Sequence, residues 1–296
     1  MNKYMKIKEK YAKSYITKAE FIDEMDLLHQ NLYEYEDLLN DSLVEKIEIS
    51  SEGVIAKLKD TGIKLHCIKK DKRVIPIEIL NFGEYEEQLW DKVFELLDKP
   101  YTIFDIGGNI GYFSLYIGQK FPTAKFYTFE PITKTFDFLQ KNLLLNKTQN
   151  ISAFNIGLSS EKQEMEMFFN PELSGNSSLK DLSENKNIEK MICKFSTLDD
   201  FAKENKIQKI DFIKCDVEGA EKFVFEGGLE TIKAHRPIIF TELLRKWSRK
   251  FDYHPNDILK IFKEIDYKIF AISNDDFYEI EAITDNTKET NFVLMP

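Results

Sequence analysis

The chain changes its hydrophobic rhythm twice. From about Lys3 to Leu43 apolar positions follow a helical period, and Phe21, Met25, Leu28, Leu32, Tyr35 and Leu39 alternate steps of four and three. That makes a heptad seam of roughly three repeats. Two readings stay open for it: an amphipathic helix laid on the chain's own body, or a seam that joins two copies as a homodimer. From Val44 to Leu80 the rhythm shortens. Val44–Ile49, Gly53–Leu58 and Gly62–Ile68 are short alternating runs separated by Ser50-Ser-Glu and Lys59-Asp-Thr, the pattern of an antiparallel meander. A further run covers Arg73–Leu80, a helix is expected over Glu84–Leu97, and Pro100 sets up the next strand.

Beyond Tyr101 short apolar strands alternate with helical stretches. Strands are expected at Thr102–Ile106, Lys125–Glu130, Ile151–Ile156, Ile210–Asp216, Pro237–Glu242, Tyr267–Ile272 and Thr290–Leu294. The fold class is therefore α/β, a mostly parallel sheet of seven strands with helices on both faces. No helix is obvious between Asn274 and Thr290, so the last two strands are expected as an antiparallel pair closing the sheet edge. Between Ser159 and Thr197 the alternation breaks. Glu164–Phe169 and Met191–Phe195 read there as two extra strands, joined by a turn-rich loop lying over the carboxyl ends of the sheet. The expected division is 1–83 as a helical and β-meander extension, for assembly or for covering a substrate, and 84–296 as one α/β domain with an insertion at 159–197.

Composition narrows the classes. A net charge of −10 argues against a nucleic-acid surface, which needs clustered Lys and Arg. Cys67, Cys193 and Cys215 are odd in number and far apart, which is neither a disulfide framework nor zinc spacing. The start Met1-Asn-Lys-Tyr-Met-Lys-Ile-Lys lacks the apolar run of a signal peptide, and no apolar stretch is long enough to span a bilayer. A cytoplasmic enzyme is the expectation.

Its chemistry is concentrated at Phe104-Asp-Ile-Gly-Gly-Asn-Ile-Gly-Tyr-Phe113, a strand end, a glycine turn and the start of a helix. Gly107, Gly108 and Gly111 let backbone approach a ligand closely, and the helix aims free N–H groups into the same space. Glu130, followed by Pro131, sits at the tip of the second strand, where a carboxylate accepts bonds from ribose hydroxyls. An adenosine-containing cofactor is implied. A dinucleotide loop fits in neither register, because Ile106 or Asn109 falls where glycine is required. Asp105 would repel a pyrophosphate and suits a ligand with an ammonium and a sulfonium. The pattern Asp-x-Gly-x-Asn-x-Gly resembles the first motif of class I S-adenosylmethionine-dependent methyltransferases, with Asn109 where many members have glycine.

A second dense motif is Ile210-Asp-Phe-Ile-Lys-Cys-Asp-Val-Glu-Gly-Ala-Glu221. A strand delivers Asp216 at its carboxyl end, and Glu218 and Glu221 follow around Gly219. Such strand ends face the ligand in an open α/β sheet, although a carboxylate there also caps the following helix. In order along the chain, Phe104–Gly111, Phe129-Glu-Pro, Asn155-Ile-Gly-Leu-Ser, Gly175-Asn-Ser-Ser-Leu, Ser196-Thr-Leu-Asp-Asp-Phe, Asp211–Glu221 and Pro237-Ile-Ile-Phe-Thr-Glu resemble FkbM-type methyltransferases. The resemblance covers about two thirds of the chain. It implies the class I arrangement of seven strands with an antiparallel C-terminal strand, and O-methylation by S-adenosylmethionine, commonly of sugar hydroxyls on natural products or cell-surface glycans, with S-adenosylhomocysteine as product. The cofactor set it implies is Asp105, Gly107, Asn109, Gly111, Phe113, Glu130, Pro131, Asn155, Ile156, Gly157 and Asp216. Gly108 stands where alanine is usual, a change expected only to loosen the loop.

A sugar hydroxyl needs a base, and the candidates are Asp216, Glu218 and Glu242. These three carboxylates also suit a hard divalent ion, so a metal-assisted variant stays beside the metal-free one. His254 is the only histidine expected near those strand ends, as a base, an acceptor contact or a plain loop residue. Ser177 and Ser178 either bond cofactor or sugar or only form a turn. Arg245 and Trp247, within a basic and aromatic patch, either grip an acidic glycan or face solvent. Two other classes are carried beside the enzyme: a non-catalytic scaffold that keeps the cofactor fold, and an NAD-dependent oxidoreductase.

Overall fold

The computed structural model describes residues 2–98, 101–181, 187–273 and 276–296; Pro100 and Asn274, which figured in the strand assignments, lie outside them. Where one helical region was expected, three helices occur, Lys3–Ala12, Lys18–His29 and Asn31–Asn40. Ser14 in the first break has φ +55°, and Thr17 with Glu20 forms a capping box that starts the second helix. The first helix folds back on the second: Tyr11 stacks on Phe21 with ring centres 4.6 Å apart, and Lys10 pairs with Glu24 at 2.9 Å. Of the seam, Phe21, Met25, Leu28 and Leu39 are half-buried, while Leu32 and Tyr35 are exposed.

Among the described residues fourteen strands follow: β1 Val44–Ser50, β2 Gly53–Leu58, β3 Lys64–Cys67, β4 Thr102–Ile106, β5 Lys125–Phe129, β6 Ile151–Phe154, β7 Gly157–Leu158, β8 Gln163–Phe169, β9 Glu189–Ser196, β10 Phe212–Cys215, β11 Ile238–Glu242, β12 Lys268–Ile272, β13 Phe277–Glu279 and β14 Asn291–Met295. The meander β1-β2-β3 is antiparallel throughout. It packs on helix Thr133–Leu145, where Asn142 accepts from the His66 amide at 3.0 Å and Asn146 bonds the Lys64 amide and carbonyl at 2.8 and 2.7 Å. The run Arg73–Leu80, grouped with the strands above, is instead the helix Ile75–Phe82. Pro76 at its start and Gly83 at its end (φ +89°) are helix punctuation, and an apolar run this short carries no decisive period.

Among the described residues the central sheet has the order β13-β12-β14-β11-β10-β4-β5-β6, eight strands where seven were expected. The last strand does not close the edge. β14 slots antiparallel between β11 and β12, and the added edge strand is β13, three residues long and mostly exposed, too short to show alternation. Each central strand feeds two cores by alternation. Phe104, Ile213 and Ile239 pack with Leu198, Phe225 and Phe262 on one face; Ile103, Phe212 and Phe240 pack with Trp90, Phe94 and the meander on the other. Each fully buried side chain of this size stabilises by roughly 1.5–3 kcal/mol, so both layers are anchored to the strands that end at the site. The inserted strands β8 and β9 form a third sheet with β7, in the order β7-β9-β8.

Candidate active site

The two motif loops touch where β4 and β10 end. Gly107 has φ +84°, and a Cβ there would overlap the carbonyl of Asp216, so only glycine allows the approach. The Gly107 and Gly108 amides donate to the Phe129 carbonyl at 3.1 and 2.9 Å, fastening the turn to β5. Helix Tyr112–Lys120 then opens from Gly111, φ +87°.

Glu130, one residue beyond β5, accepts from the Asn109 amide at 3.1 Å through Oε2 and from the Ile132 amide at 2.8 Å through Oε1. Burial pushes its carboxyl up to about 8 in spite of these bonds. Asn155 braces the same corner, donating to the Glu130 and Pro131 carbonyls at 2.9 and 3.1 Å.

A cleft with about 940 Å³ of empty space, part of it open to solvent, runs along these strand ends, a size usual for ligand pockets. Gly107, Asn109, Phe113, Glu130, Pro131, Gly157, Ser177, Asp216 and Glu218 line it. Ile132, Leu158, Met167, Leu179 and Phe195 supply an apolar group of walls, and Lys214, Tyr85, Glu86 and Trp90 a polar and aromatic one. Ser174 and Gly175 contribute from the insertion. That loop is fastened to the N-terminal extension: the Ser174 amide donates to Asp71 at 3.2 Å, its hydroxyl bonds the same carboxylate, and the Lys72 amide donates to the Glu172 carbonyl at 2.9 Å.

Several expected site residues sit elsewhere. Asp105 does not line the cleft; it is fully buried behind the loop, accepting from Ser114 at 2.6 Å with Lys214 3.8 Å away, because strand alternation turns it toward the following helix. Gly111 starts the helix, Asn155 braces the Glu130 corner and Ile156 packs on the core, and none of the three lines the cleft. Ser178 is buried and donates to the Glu218 carbonyl at 2.9 Å, pinning the insertion onto the second motif. Arg245 binds the Thr284 carbonyl and Asp285 at 2.7 and 2.9 Å, beside a different cavity. Trp247 packs on Gly219, whose added Cβ would stand 3.0 Å from the Trp247 Cβ. His254 caps helix Pro255–Lys263, its Nδ1 accepting from the Asn256 amide at 3.1 Å, so that lone pair is unavailable to a base.

The three carboxylates around Gly219 divide their work. Glu221 holds the turn, accepting from the Val217 and Gly219 amides at 3.1 and 3.0 Å and from Tyr253 at 3.2 Å. Asp216 faces the cleft with Lys214 at 3.3 Å. Glu218 adopts φ +54°, a left-handed backbone rare for a non-glycine residue, and its buried Oε2 has no hydrogen-bond partner. Burial, together with Asp216 and Glu242, holds the Glu218 carboxyl well above the carboxylate range. Glu242 does not line the cleft, yet burial, Asp216 and Glu86 push it to about 8. Among the described residues no three His, Cys, Asp or Glu side chains form a metal-binding group. Asp216, Glu218 and Glu242 do not form such a group; Lys214 lies 3.3 Å from Asp216, and Lys246 and Arg73 act on Glu218.

Residues 105–269 match the Methyltransferase FkbM domain. The chain belongs to the FkbM methyltransferase family. It is 32% identical over 205 residues to Methyltransferase 1 of Beauveria bassiana (strain ARSEF 2860), covering 63% of this chain and 76% of that one. It is likewise 32% identical over 173 residues to Methyltransferase sdnD of Sordaria araneosa, covering 48% and 67%. The crystal structure of Methyltransferase FkbM from Methylobacillus flagellatus KT aligns at 16% identity and a TM-score of 0.43, over 67% of this chain and 44% of that one.

In this FkbM-family chain the sequence motifs led to the glycine turn, Glu130 and Asp216 but missed Lys214, Tyr85, Glu86 and Trp90. Lys214 had a readable signal. A lysine in the middle of a buried strand must find anionic partners, and Asp105 and Asp216 are within two strand positions of it or its neighbour. Burial would lower Lys214, but Asp216, Asp105 and Glu86 outweigh it and hold it above the usual lysine range. Glu86 and Trp90 had no such signal, since Glu84-Tyr-Glu-Glu reads only as a helix start.

Proposed function

We propose that this FkbM-family chain is an S-adenosylmethionine-dependent O-methyltransferase that releases S-adenosylhomocysteine, and that its acceptor is a sugar hydroxyl of a cell-surface glycan or natural product. The observation that carries the reading is Glu130. Its oxygens are fixed by two amides, and each retains a lone pair for a ribose hydroxyl. The apolar walls at Ile132, Leu158, Met167 and Phe195 suit an adenine, and the acidic residues Asp216 and Glu86 suit a ligand that carries positive charge. The sugar as acceptor class follows from the family resemblance.

When bound, S-adenosylmethionine supplies an electrophilic methyl on a sulfonium. The chain's own residues then align an acceptor and take its proton. Glu218 is the base in this reading, because its unpaired, buried Oε2 lines the cleft and burial, with Asp216 and Glu242 nearby, strengthens its hold on a proton. Lys214 keeps Asp216 oriented beside the glycine turn by bonding both Asp216 and the Gly107 carbonyl at 3.3 Å.

Isothermal titration with S-adenosylhomocysteine is the first test; no binding, alongside tight NAD binding, would end this reading. Mass-shift profiling of polysaccharides from cells with and without the protein then identifies the acceptor. A Glu218→Gln variant should keep cofactor affinity and lose methyl transfer, whereas unchanged cellular function in that variant supports the scaffold.

A further inference from the structure

The FkbM match begins at Asp105, so Tyr85, Glu86 and Trp90 lie outside it while lining the cleft. Charges there are out of balance. Among the described residues lining the cleft, Lys214 is the only cation, against Glu86, Glu130, Asp216 and Glu218. Its Nζ is already committed to the Gly107 carbonyl, Asp216 and Asp105. Glu86 has no cation at salt-bridge distance among the described residues. Trp90 is 2% exposed, and its indole N–H finds no acceptor in hydrogen-bond geometry, though it stands close enough to Glu86 to favour the ionised carboxylate. Glu86 holds the N-cap position of helix Glu87–Phe94 without a side-chain cap bond, and Trp90 lies one turn on. A carboxylate with no cation at salt-bridge distance and an indole N–H with no acceptor in hydrogen-bond geometry therefore stand side by side on one wall.

We propose that Glu86 and Trp90 hold the amino-acid head of S-adenosylmethionine, Glu86 pairing with its ammonium and the Trp90 indole N–H donating to its carboxylate. The assignment rests on the cofactor reading above. A zwitterionic head carries one cation and one anion on adjacent atoms, which this donor and acceptor match in sign. Asp105, the sequence-derived candidate for the ammonium, is turned away behind the loop and bonded to Ser114. Burial and the charge of Asp216 push Glu86 up to about 7 against the pull of Lys214, with Glu87, Tyr85 and Glu242 also facing it. A bound ammonium relieves that repulsion. The unmatched N–H of Trp90, which costs free energy while buried, gains an acceptor in the same step.

Two ligands separate this subsite from the rest of the cleft. S-adenosylhomocysteine carries the amino-acid head, and 5′-methylthioadenosine keeps the adenosine and thioether without it. In isothermal titration, Glu86→Gln is expected to weaken S-adenosylhomocysteine about tenfold or more and leave 5′-methylthioadenosine unchanged. Trp90→Phe, which keeps a ring in the wall, is expected to weaken the first ligand about fivefold and spare the second. Wild-type affinity for S-adenosylhomocysteine should also rise from about pH 6 to about pH 8 as Glu86, raised to about 7, ionises, and Glu86→Gln should diminish that rise, leaving the part that Glu130, raised to about 8, contributes. Equal losses for both ligands, or no loss for either, in Glu86→Gln overturn the assignment and leave the cofactor reading standing. Unchanged S-adenosylhomocysteine affinity in Trp90→Phe removes the carboxylate contact. A wild type that binds neither ligand overturns the cofactor reading and this assignment together.

Discussion

The methyl group of Thr128 fills the space that a side chain at Gly108 would need. A Cβ built on Gly108 overlaps Thr128 Cγ2, while Thr128 Oγ1 stays bonded to Ser114 at 2.7 Å. The glycine, where the family resemblance leads one to expect alanine, is thus matched to β5 and does not simply loosen the loop. Gly108→Ala should destabilise by about 1–3 kcal/mol through overpacking. Thr128→Ser, which removes the methyl and keeps the hydroxyl, should restore most of the loss in the double variant. Melting temperatures of the four proteins decide it, and equal destabilisation in the single and double variants would show that the two sites are not coupled.

Glu130 is expected to contribute to cofactor affinity through one or two hydrogen bonds to the ribose, charge-assisted once its carboxyl, raised to about 8, has ionised. Glu130→Ala should weaken S-adenosylhomocysteine by about 1.5–3 kcal/mol. Because the contact is to ribose, 5′-methylthioadenosine should weaken by a similar factor, unlike its behaviour with Glu86→Gln. Titration of both ligands tests this, and an undiminished affinity would place the ribose elsewhere.

Lys214 balances two carboxylates inside the protein, at 3.3 Å from Asp216 and 3.8 Å from Asp105, with 8% of its side chain exposed. Lys214→Met should cost about 3–5 kcal/mol, because breaking a buried pair leaves charge unmatched. Adding Asp105→Asn should recover part of that. Urea unfolding of the single and double variants gives the comparison, and a Met variant as stable as wild type would remove Lys214 from the network.

The ligand-free protein should be most stable in mildly acid solution. Glu86 and Glu221 are raised to about 7, and Glu130 and Glu242 to about 8, from an ordinary 4.5, chiefly by burial. A carboxyl raised in the folded state binds its proton more tightly there than in the unfolded chain. Its stabilising contribution is full below about 4.5 and is lost as pH climbs through about 7 to about 8. Exposed carboxylates held low by partners, such as Glu20 with Thr17, act in the opposite sense at the acid end. Melting temperature should therefore peak near about pH 5 and fall toward about pH 8.5; a flat profile across that interval contradicts the burial of these groups.

His254 should matter to stability alone. His254→Ala removes a helix cap and should cost about 1 kcal/mol, read as a lower melting temperature, with S-adenosylhomocysteine affinity unchanged. A loss of methyl transfer without loss of stability would return it to the list of bases.

Much of the site could be read along the chain because its signals are local. A glycine turn after an apolar strand, an acid at the tip of the next strand and a carboxylate at the end of β10 need only periodicity and backbone geometry to be recognised. Those rules correctly put Asn109, Glu130, Asp216 and Glu218 on one cleft. They failed for Asp105, where the strand's alternation and not its nearness to the glycine turn sets the direction of the side chain. The helix Ile75–Phe82 was misread as strand because eight residues, about two turns, are too short a run for the period to separate the two.

By itself, then, the sequence determined the alternating strands of the parallel sheet, the family and the glycine-turn frame, since each depends on residues within a few positions of one another. Which distant segments meet was decided only by the tertiary structure. β14 enters between β11 and β12 because pairing there satisfies two neighbours' backbone groups at once. Lys214 is a buried partner of Asp105 only because β10 lies beside β4. Glu86 and Trp90 reach the cleft because helix Glu87–Phe94 packs its apolar face on the core beneath it. Such encounters are set by packing between elements far apart in the chain, and no local period encodes them.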